Sequence, residues 1–265
     1  MPPPPEPNPS DAAAVVLAYG ESPFLAGCLA SLSRQTRPVR LIVATSTPSE
    51  AIARAAAQAG AELIVNPVRA GIAADWNFAL AATDARFVTL AHQDDLYFPA
   101  FAQRTLEAFA AQPDAVLCFT GYQEIDDEGA PKSSRVSRAK HLIEAASLGR
   151  ATRVAGPRLR AYLSFGNPLP CSSVTFDRAK LPDFRFTDAY ASNLDWEAWW
   201  RLYAEGHVFA RARERLVGRR HNRLTATSGL IRDGVRLKED RDMFRRLWPV
   251  PFGDALALIY RAGYH

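Results

Sequence analysis

Two adjacent carboxylates, Asp94 and Asp95, are the first residues in the sequence whose types and spacing point to chemistry. They end the segment Leu90-Ala91-His92-Gln93-Asp94-Asp95, in which the first residues continue an apolar run. Paired carboxylates suit a hard divalent cation, Mg²⁺ or Mn²⁺, that also binds phosphate oxygens. The structural alternative is that one aspartate only caps the helix predicted to start near Phe98, and Asp95, the closer of the two, suits that role better.

The positive charge of the chain is carried almost entirely by arginine. Lysine occurs only at positions 132, 140, 180 and 238. The planar guanidinium group suits phosphate recognition, although a coding bias toward arginine and alanine explains the same composition.

The elements that must position these groups alternate between strand and helix from Ala12 to about Asp127. The apolar runs predict strands buried on both faces, with helical stretches between them. Such alternation predicts a mostly parallel sheet flanked by helices, whose ligands bind at the carboxyl ends of the strands. The predicted strands are Ala13–Ala18, Leu41–Thr45, Glu62–Val65, Phe87–Ala91 and Ala115–Thr120.

Beyond Asp127 the alternation breaks down. The polar segment Glu128–Pro157 predicts a long loop or a mobile segment. We divide the chain into a disordered proline-rich lead (1–11), two halves of one domain (12–127 and 128–230) and a C-terminal helical extension (231–265). The later elements predicted are strands at Ser172–Phe176 and near Val208–Arg211, and helices at Asn193–Glu205, Arg232–Leu247 and Phe252–His265.

Composition limits the class of protein. The 265 residues are 48% hydrophobic and 23% charged, as in a globular protein. The three cysteines are widely spaced and suit reduced thiols in the cytoplasm. We find no apolar run near the roughly 20 residues that cross a bilayer, and no signal peptide.

The basic character of the chain raises the question of its partners. The pI is about 9.1, and arginines are frequent from Arg211 to Arg246. No nucleic-acid-binding motif accompanies them, so we expect no nucleic acid partner. Peripheral contact with anionic lipid at the inner face of the membrane, or a lipid-diphosphate acceptor, is the expectation instead.

Five segments in order resemble the inverting glycosyltransferases of family 2, which have the GT-A fold. The resemblance extends from about residue 13 to residue 228. The segments are Tyr19-Gly20-Glu21-Ser22 with Leu25, Leu29 and Gln35; Asn66, Gly71, Ala74 and Trp76-Asn77; His92-Gln93-Asp94-Asp95; Asp195-Trp196-Glu197 with Trp199; and Arg220-His221 with Thr225.

The resemblance implies transfer of a sugar from a nucleotide diphosphate sugar to a saccharide or lipid-linked acceptor, in bacterial surface polysaccharide or glycolipid assembly. It implies that Asp94 and His221 bind Mn²⁺ or Mg²⁺, and that Asp195 is the general base, with Glu197 as its rival. It also implies a sheet with helices on both sides and a C-terminal helical extension. The donor-binding residues implied are Tyr19, Glu21, Thr45, Asn77, His92, Gln93, Asp94 and Arg220.

Two departures from the family pattern keep other interpretations open. The second strand ends Ala44-Thr45-Ser46-Thr47, where the family has aspartates that contact the base, and His92 stands where aspartate is usual. A catalytically degenerate scaffold that binds sugar nucleotides is therefore the alternative, although Asp94 and Asp195 are both present. A sugar-1-phosphate nucleotidyltransferase needs a glycine-rich basic loop after the first strand, whereas Tyr19–Pro23 has one glycine and an acid.

Overall fold

The computed structural model describes residues 11–220 and 233–261, which form one mixed sheet with helices on both faces. The strands are β1 (Ala12–Ala18), β2 (Arg40–Thr45), β3 (Glu62–Val65), β4 (Phe87–His92), β5 (Leu96–Tyr97), β6 (Ala115–Ile125), β7 (Arg153–Val154), β8 (Val174–Asp177) and β9 (Val208–Arg220). The helices are α1 (Leu25–Ser33), α2 (Glu50–Gln58), α3 (Ile72–Ala81), α4 (Phe101–Ala111), α5 (Arg135–Leu148), α6 (Gly156–Leu163), α7 (Leu194–Ala204), α8 (Val235–Leu247) and α9 (Val250–Arg261).

The strand order is β3-β2-β1-β4-β8-β6-β9-β5, with β7 paired to β9. The first four strands in this order are parallel, and β8 runs antiparallel between β4 and β6. Strands β6 and β9 are parallel over their whole length, with irregular register near Gly121. Strands from both predicted halves thus belong to one sheet, while the division at residue 127 stays a prediction.

The central strands are buried on both faces, which explains their continuous apolar runs. In β1, Val15 packs into one core cluster and Val16 into the cluster on the opposite face. In β4, Leu90 and Ala91 divide in the same way. The predicted α/β class and all five predicted N-terminal strands are confirmed.

The prediction of a loop over 128–157 is wrong, because this segment contains α5 and β7. Helix α5 begins with a capping box in which Ser134 and Ser137 exchange hydrogen bonds, and Gly149 follows its end at φ 52°. Its apolar residues alternate irregularly with charged ones and give no clear apolar stripe, so periodicity does not reveal it.

The predicted strand near Val208–Arg211 is too short, because β9 continues to Arg220 and carries the chain toward the end of β4. The Arg232–Leu247 and Phe252–His265 helices are observed as α8 and α9 with shifted ends. Within the described ranges, none of the helices combines the length and the apolar character that a bilayer crossing requires. The proline-rich lead up to residue 10 lies outside the described residues.

Candidate active site

A cluster of three metal-ligand side chains lies at the carboxyl end of β4. One ligand atom from each of His92, Asp94 and Asp95 lies within 4.8 Å of the others. The Nε2 atom of His92 is buried without a hydrogen-bond partner among the described residues. A buried nitrogen in this state is costly, so a ligand for it is favoured. The cluster therefore suits a divalent cation.

Asp95 is the most buried member of this cluster, with 2% of its surface exposed. Burial and the neighbouring charge of Asp94 raise the pKa of its carboxyl group, while His92 opposes this shift. Its Oδ1 accepts the backbone N–H of Arg220 at 2.9 Å. The suggestion that Asp95 caps the helix predicted near Phe98 is wrong, because α4 begins at Phe101 after Ala100 and has no side-chain cap. Asp95 instead ties the end of β9 to the end of β4.

Arg220 is buried, and its guanidinium group is occupied by backbone carbonyls. It donates to the carbonyl oxygen of Asp94 at 3.0 Å and to that of Asp126. Its Cζ atom also lies 4.3 Å from the centre of the Phe24 ring. These contacts hold the Asp94–Asp95 turn in place, and the phosphate contact of Arg220 stays a prediction. His221, the second predicted metal ligand, lies outside the described residues.

The ends of β1 and β4 are joined through Gln93. Its side-chain amide donates to the Tyr19 carbonyl at 2.9 Å and accepts the Tyr19 N–H at 3.2 Å. The Tyr19 ring is exposed, and Arg69 donates to its hydroxyl and lies over its face. Glu21 is exposed on the following turn. These residues border the carboxyl edge of the sheet, where the donor is expected.

Thr45 is less accessible than its predicted role requires. Its side chain is buried, and its hydroxyl accepts the N–H of Thr47 at 3.0 Å. The Thr47 hydroxyl in turn accepts the N–H of Gly20 at 2.7 Å. Thr45 therefore supports the turn after β2, and a contact with the donor stays a prediction.

Asp75 of α3 supplies a carboxylate next to the end of β2, and sequence reasoning missed it. Its two oxygens accept from the Ser46 hydroxyl at 2.9 Å and from the Asn66 amide at 3.0 Å. The spacing along the sequence does not reveal this, because the three residues come from three different elements. The turn after β2, which lacks the family's aspartates, thus has the carboxylate of Asp75 beside it in space.

Asn77 binds the polypeptide itself. Its amide donates to the Phe186 carbonyl and accepts the Phe186 N–H, both at 2.8 Å. The adjacent Trp76 packs against the Phe186 ring at 4.9 Å and the His92 ring at 5.4 Å. These contacts fasten α3 to the segment before α7. The donor contact predicted for Asn77 stays a prediction.

The carboxylate of Asp195 lies in the first turn of α7 and is held from two sides. Its Oδ2 accepts the side-chain amide of Asn167 at 2.7 Å, and its Oδ1 accepts the N–H of Trp196 at 2.9 Å. The rival Glu197 is bound differently, because Arg201 donates to it at 3.2 Å and Thr187 at 3.3 Å. An ion pair within its own helix explains Glu197 without any ligand.

The buried tryptophans of α7 hold the segment that meets Asp195. Trp196 donates its indole N–H to Leu163 at 2.9 Å, and Trp199 donates to Leu169 at 3.0 Å. Both rings are completely buried, as expected for core residues. Neither ring is open to stack on a sugar.

The segment from Asn167 to Ser173 connects the two acidic groups. Asn167, at its start, binds Asp195. Near its other end, the Ser172 carbonyl accepts the hydroxyl of Tyr97, which comes two residues after Asp95, at 2.9 Å. Burial and the charge of Asp195 raise the pKa of the Cys171 thiol, which keeps it protonated. Asp195 and the short strand that follows Asp95 therefore contact one segment.

The C-terminal extension contributes to the Asp195 side of the site, which the sequence does not predict. The Tyr260 hydroxyl of α9 accepts the N–H of Asn167 at 3.3 Å. Arg236 of α8 donates to Ser192 at 2.8 Å and to Asp240 at 3.2 Å. Burial opposes its charge, but the charges of Asp240 and, after it, of Tyr260 and Asp195 raise its pKa. The extension thus packs against the residues that hold Asp195.

The arginines of the stretch Arg211–Arg246 that the structure describes do not form one basic surface. Arg211 is buried and pairs with Glu144 at 2.6 Å, and Arg220 and Arg236 are engaged as described above. Arg213 and Arg215 are exposed on β9. The sequence run therefore divides between the interior and several faces.

Comparison with known proteins is consistent with this arrangement. Residues 13–167 match the model of the family described as Glycosyl transferase family 2. By sequence, no curated protein matches the chain.

Two solved structures illustrate the structural likeness. S. aureus TarS 1–349 in complex with UDP-GlcNAc is 13% identical with a TM-score of 0.65, and the match covers 94% of this chain and 71% of that one. Glucosyl-3-phosphoglycerate synthase from Mycobacterium tuberculosis, in complex with Mn²⁺, UDP and glucosyl-3-phosphoglycerate, is 19% identical with a TM-score of 0.54, covering 96% and 80%. At such identities the likeness shows the fold. Because the family match extends over more than half of the 265 residues, the chain belongs to glycosyl transferase family 2 and is a glycosyltransferase with the GT-A fold.

Proposed function

We propose that this glycosyltransferase moves a sugar from a nucleotide diphosphate sugar to an acceptor hydroxyl, with inversion at the anomeric carbon. The observation that carries the proposal is that one short segment, Asn167–Ser173, binds Asp195 through Asn167 at its start and, near its end, accepts a hydrogen bond at the Ser172 carbonyl from Tyr97, which closely follows Asp94 and Asp95. One carboxylate group is thereby available near the leaving phosphates and another near the acceptor. That UDP-GlcNAc and UDP are bound in the two similar structures supports a nucleotide diphosphate donor.

A divalent cation, Mn²⁺ or Mg²⁺, fits the group at the end of β4. Asp94 and His92 would hold it with Asp95, and His221 is a further proposed ligand. The buried, unpartnered Nε2 of His92 is the feature of this chain that favours such a ligand. When bound, the cation neutralises charge on the diphosphate.

Asp195 is the proposed general base. An inverting transfer forms a bond from the acceptor oxygen to the anomeric carbon and breaks the bond to the diphosphate, which leaves with the electron pair. The acceptor proton passes to Asp195. Asn167 fixes one oxygen of Asp195, while Arg201 and Thr187 already occupy Glu197. No protein nucleophile is needed, which agrees with the buried, protonated Cys171.

The donor is proposed to lie along the carboxyl edge of β1, β2 and β4. Tyr19, Glu21 and Gln93 border this edge, and Asp75 adds a carboxylate beside β2. Thr45, Asn77 and Arg220 are proposed to act on the donor through the turns that they hold, since their side chains bind the polypeptide.

The acceptor is proposed to be a saccharide or a lipid-linked saccharide, in bacterial surface polysaccharide or glycolipid assembly. We place the enzyme in the cytoplasm, peripherally at the inner face of the membrane. These assignments follow from the family and not from the geometry of the site.

The test is release of sugar from UDP-GlcNAc and UDP-glucose, measured with Mn²⁺ and with a chelator. The expected result is turnover that needs the metal and falls by about 10²- to 10⁴-fold in Asp195→Asn, the range for loss of a general base. Glu197→Gln is the matched control in the same helix and should lose much less. A protein that binds UDP with Mn²⁺ and never releases sugar from any donor in a panel would instead be the degenerate scaffold.

A further inference from the structure

Helix α9 has an exposed apolar face, formed by positions that repeat at helical spacing. Pro251, Ala255, Leu258 and Ile259 fall on one side of the helix, and Phe252 extends that side. Ile259 is 70% exposed, Leu258 53% and Phe252 48%. We name these five residues the α9 face.

The opposite side of α9 already packs against the protein. Gly253 and Ala257 are buried there, and a Cβ at Gly253 would lie 3.1 Å from the Phe244 backbone. A surface helix normally presents polar residues to water on its outer side. The α9 face is apolar on its outer side as well, which marks it as a contact surface.

An aromatic row continues the α9 face onto the neighbouring segment. The Phe252 ring lies 5.0 Å from Trp248, and Trp248 lies 5.4 Å from the exposed Phe165. The Trp248 indole N–H donates to Ser164 at 2.8 Å, which holds this ring in place. Tryptophan with one apolar side and one polar contact is typical of the boundary between lipid and water.

Basic side chains lie along one edge of the α9 face. There, Asp254 is bound by Arg245 at 2.7 Å and approached by Arg241 at 3.6 Å, and Arg261 follows on the same side of the helix. A further cation, Lys140, lies 5.9 Å from the centre of the Tyr260 ring, on the side of α9 that packs against the protein. Cations thus exceed carboxylates around the face among the described residues.

We infer that the α9 face docks the enzyme on an anionic lipid surface. Apolar side chains flanked by arginine and lysine are the pattern of helices that lie in the membrane interface. A second copy of this chain is the poorer occupant, because a two-fold interface pairs the same surface with itself and would bring two copies of the basic edge together. The charge of this edge complements phospholipid headgroups instead.

Docking through the α9 face would also bring the membrane close to the proposed base. Tyr260 of the same helix accepts the N–H of Asn167, and Asn167 binds Asp195. A lipid-linked acceptor would therefore meet the site from the membrane side. This last step depends on the proposed function, whereas the docking itself does not.

Flotation of the full chain with vesicles tests the docking. The wild type is expected to float with vesicles of equal parts phosphatidylcholine and phosphatidylglycerol, and not with phosphatidylcholine alone. The double variant Leu258→Ser/Ile259→Ser should bind at least tenfold more weakly. Arg261→Glu should weaken binding by about fivefold or more, since each basic residue near such a surface contributes on that scale.

The matched control is Val65→Ser/Val68→Ser, which removes two exposed apolar side chains on the opposite edge strand and the loop after it. It should bind like the wild type, and thermal unfolding of each variant checks that it is folded. Equal binding to neutral and anionic vesicles, or unchanged binding of the α9 double variant, would refute the docking. So would a dimer in solution that the α9 double variant dissociates, because the face would then belong to a second copy. Flotation does not need sugar transfer, so a protein that floats as expected but never transfers sugar refutes only the proposed function.

Discussion

The position of Asp195 depends on a chain of hydrogen bonds that begins outside its own helix. Asn167 donates its side-chain amide to Asp195, and its own Oδ1 accepts the N–H of Leu169 at 3.2 Å. The backbone N–H of Asn167 is bound by Tyr260. Asn167 is thus oriented by two contacts and fixes one oxygen of the carboxylate, which leaves fewer orientations for the proposed base.

Replacing Asn167 by alanine should lower kcat with little change in the KM for the donor. A hydrogen bond to a charged group contributes about 1.5–3 kcal/mol, which corresponds to roughly a 10- to 100-fold fall in rate. Steady-state release of sugar from the active donor measures both constants. Gln103→Ala, which removes an exposed amide on α4, is the control. A wild-type kcat in Asn167→Ala, or a loss seen only in KM, would show that this contact does not position the base.

The sequence identifies Asp94 and Asp195 but not the residues that support them. Asp94 and Asp195 each belong to one of the five segments that resemble the family, so the order of these segments along the chain points to them. Asp75 and Asn167 act through partners 29 and 28 residues away. Such contacts depend on how separate elements pack, and no local pattern of residue types encodes them.

At the scale of elements, the turn before Asn167 is fitted to α9 by a glycine. Gly166 has a φ of +123°, and a Cβ built on it would lie 2.4 Å from a carbon of the Tyr260 ring. That distance is well below van der Waals contact, so a side chain at position 166 must displace the ring or the turn. The C-terminal extension and the Asn167 turn therefore pack at a distance that only glycine permits.

Gly166→Ala should destabilise the protein by about 1–3 kcal/mol, through backbone strain and the clash with Tyr260. Urea unfolding followed by circular dichroism gives the free energy of unfolding. Gly206→Ala is the control, because Gly206 also has a positive φ, +83°, but no atom within 4 Å of a Cβ built there. Equal losses in the two variants would mean that strain alone, and not contact with α9, explains the glycine.

The packing of His141, on α5, against Tyr122 predicts that the free energy of unfolding depends on pH. Burial, then the positive charge of Arg215, lowers the pKa of His141, whose ring lies 5.5 Å from that of Tyr122. The unfolded chain therefore binds this proton more tightly than the folded chain. The contribution of His141 to stability is present above the ordinary histidine pKa of about 6.5, and it is lost below that value as the pH falls through the lowered pKa of the folded protein.

His141→Gln should accordingly show a shallower fall in stability between about pH 7 and pH 5 than the wild type, since 6.5 is the ordinary pKa of the group removed. Chemical denaturation at several pH values measures the slope. His207→Gln, at a more exposed histidine paired with Glu205, is the control and should leave the slope nearly unchanged. A slope in His141→Gln equal to that of the wild type would contradict the assignment.

Elements were predictable where one physical signal dominates. Strands β1 and β4 are continuous apolar runs because both of their faces are buried, and the sequence therefore locates them. The edge strand β3 is only partly buried, and its short run of Leu63, Ile64 and Val65 locates it. Helix α5 escaped prediction because its apolar residues do not all face the core, Leu142 being 71% exposed, and because its ends depend on serine caps and a glycine. The extension of β9 to Arg220 escaped because the charged residues Arg213-Glu214-Arg215 interrupt its apolar pattern and because it pairs only with strands distant in sequence.

At the scale of the whole molecule, one sheet unites the two sides of the site. Strand β8 pairs with β4 on one side and with β6 on the other, so the segment leading into β8 passes between the metal-ligand cluster and α7. Arg211 of β9 pairs with Glu144 of α5, and this nearly buried pair fastens the outer helices to the sheet. Ligand binding at the end of β4 is therefore expected to stabilise the entire fold and not one lobe alone.

Thermal unfolding with UDP and Mn²⁺ tests that expectation. A ligand present at 100 times its Kd stabilises the folded state by about 2.7 kcal/mol, which should raise the Tm by roughly 5–10 °C in a domain of this size. The nucleotide and the cluster of His92, Asp94 and Asp95 are proposed to share the cation. UDP with a chelator should therefore raise the Tm much less than UDP with Mn²⁺ does. Asp94→Asn should remove the metal-dependent part while leaving the Tm of the free protein nearly unchanged, since Asp94 is only partly buried. A full shift by UDP in the presence of the chelator, or in Asp94→Asn, would mean that the nucleotide binds without the cation and that the cluster at the end of β4 has a different role.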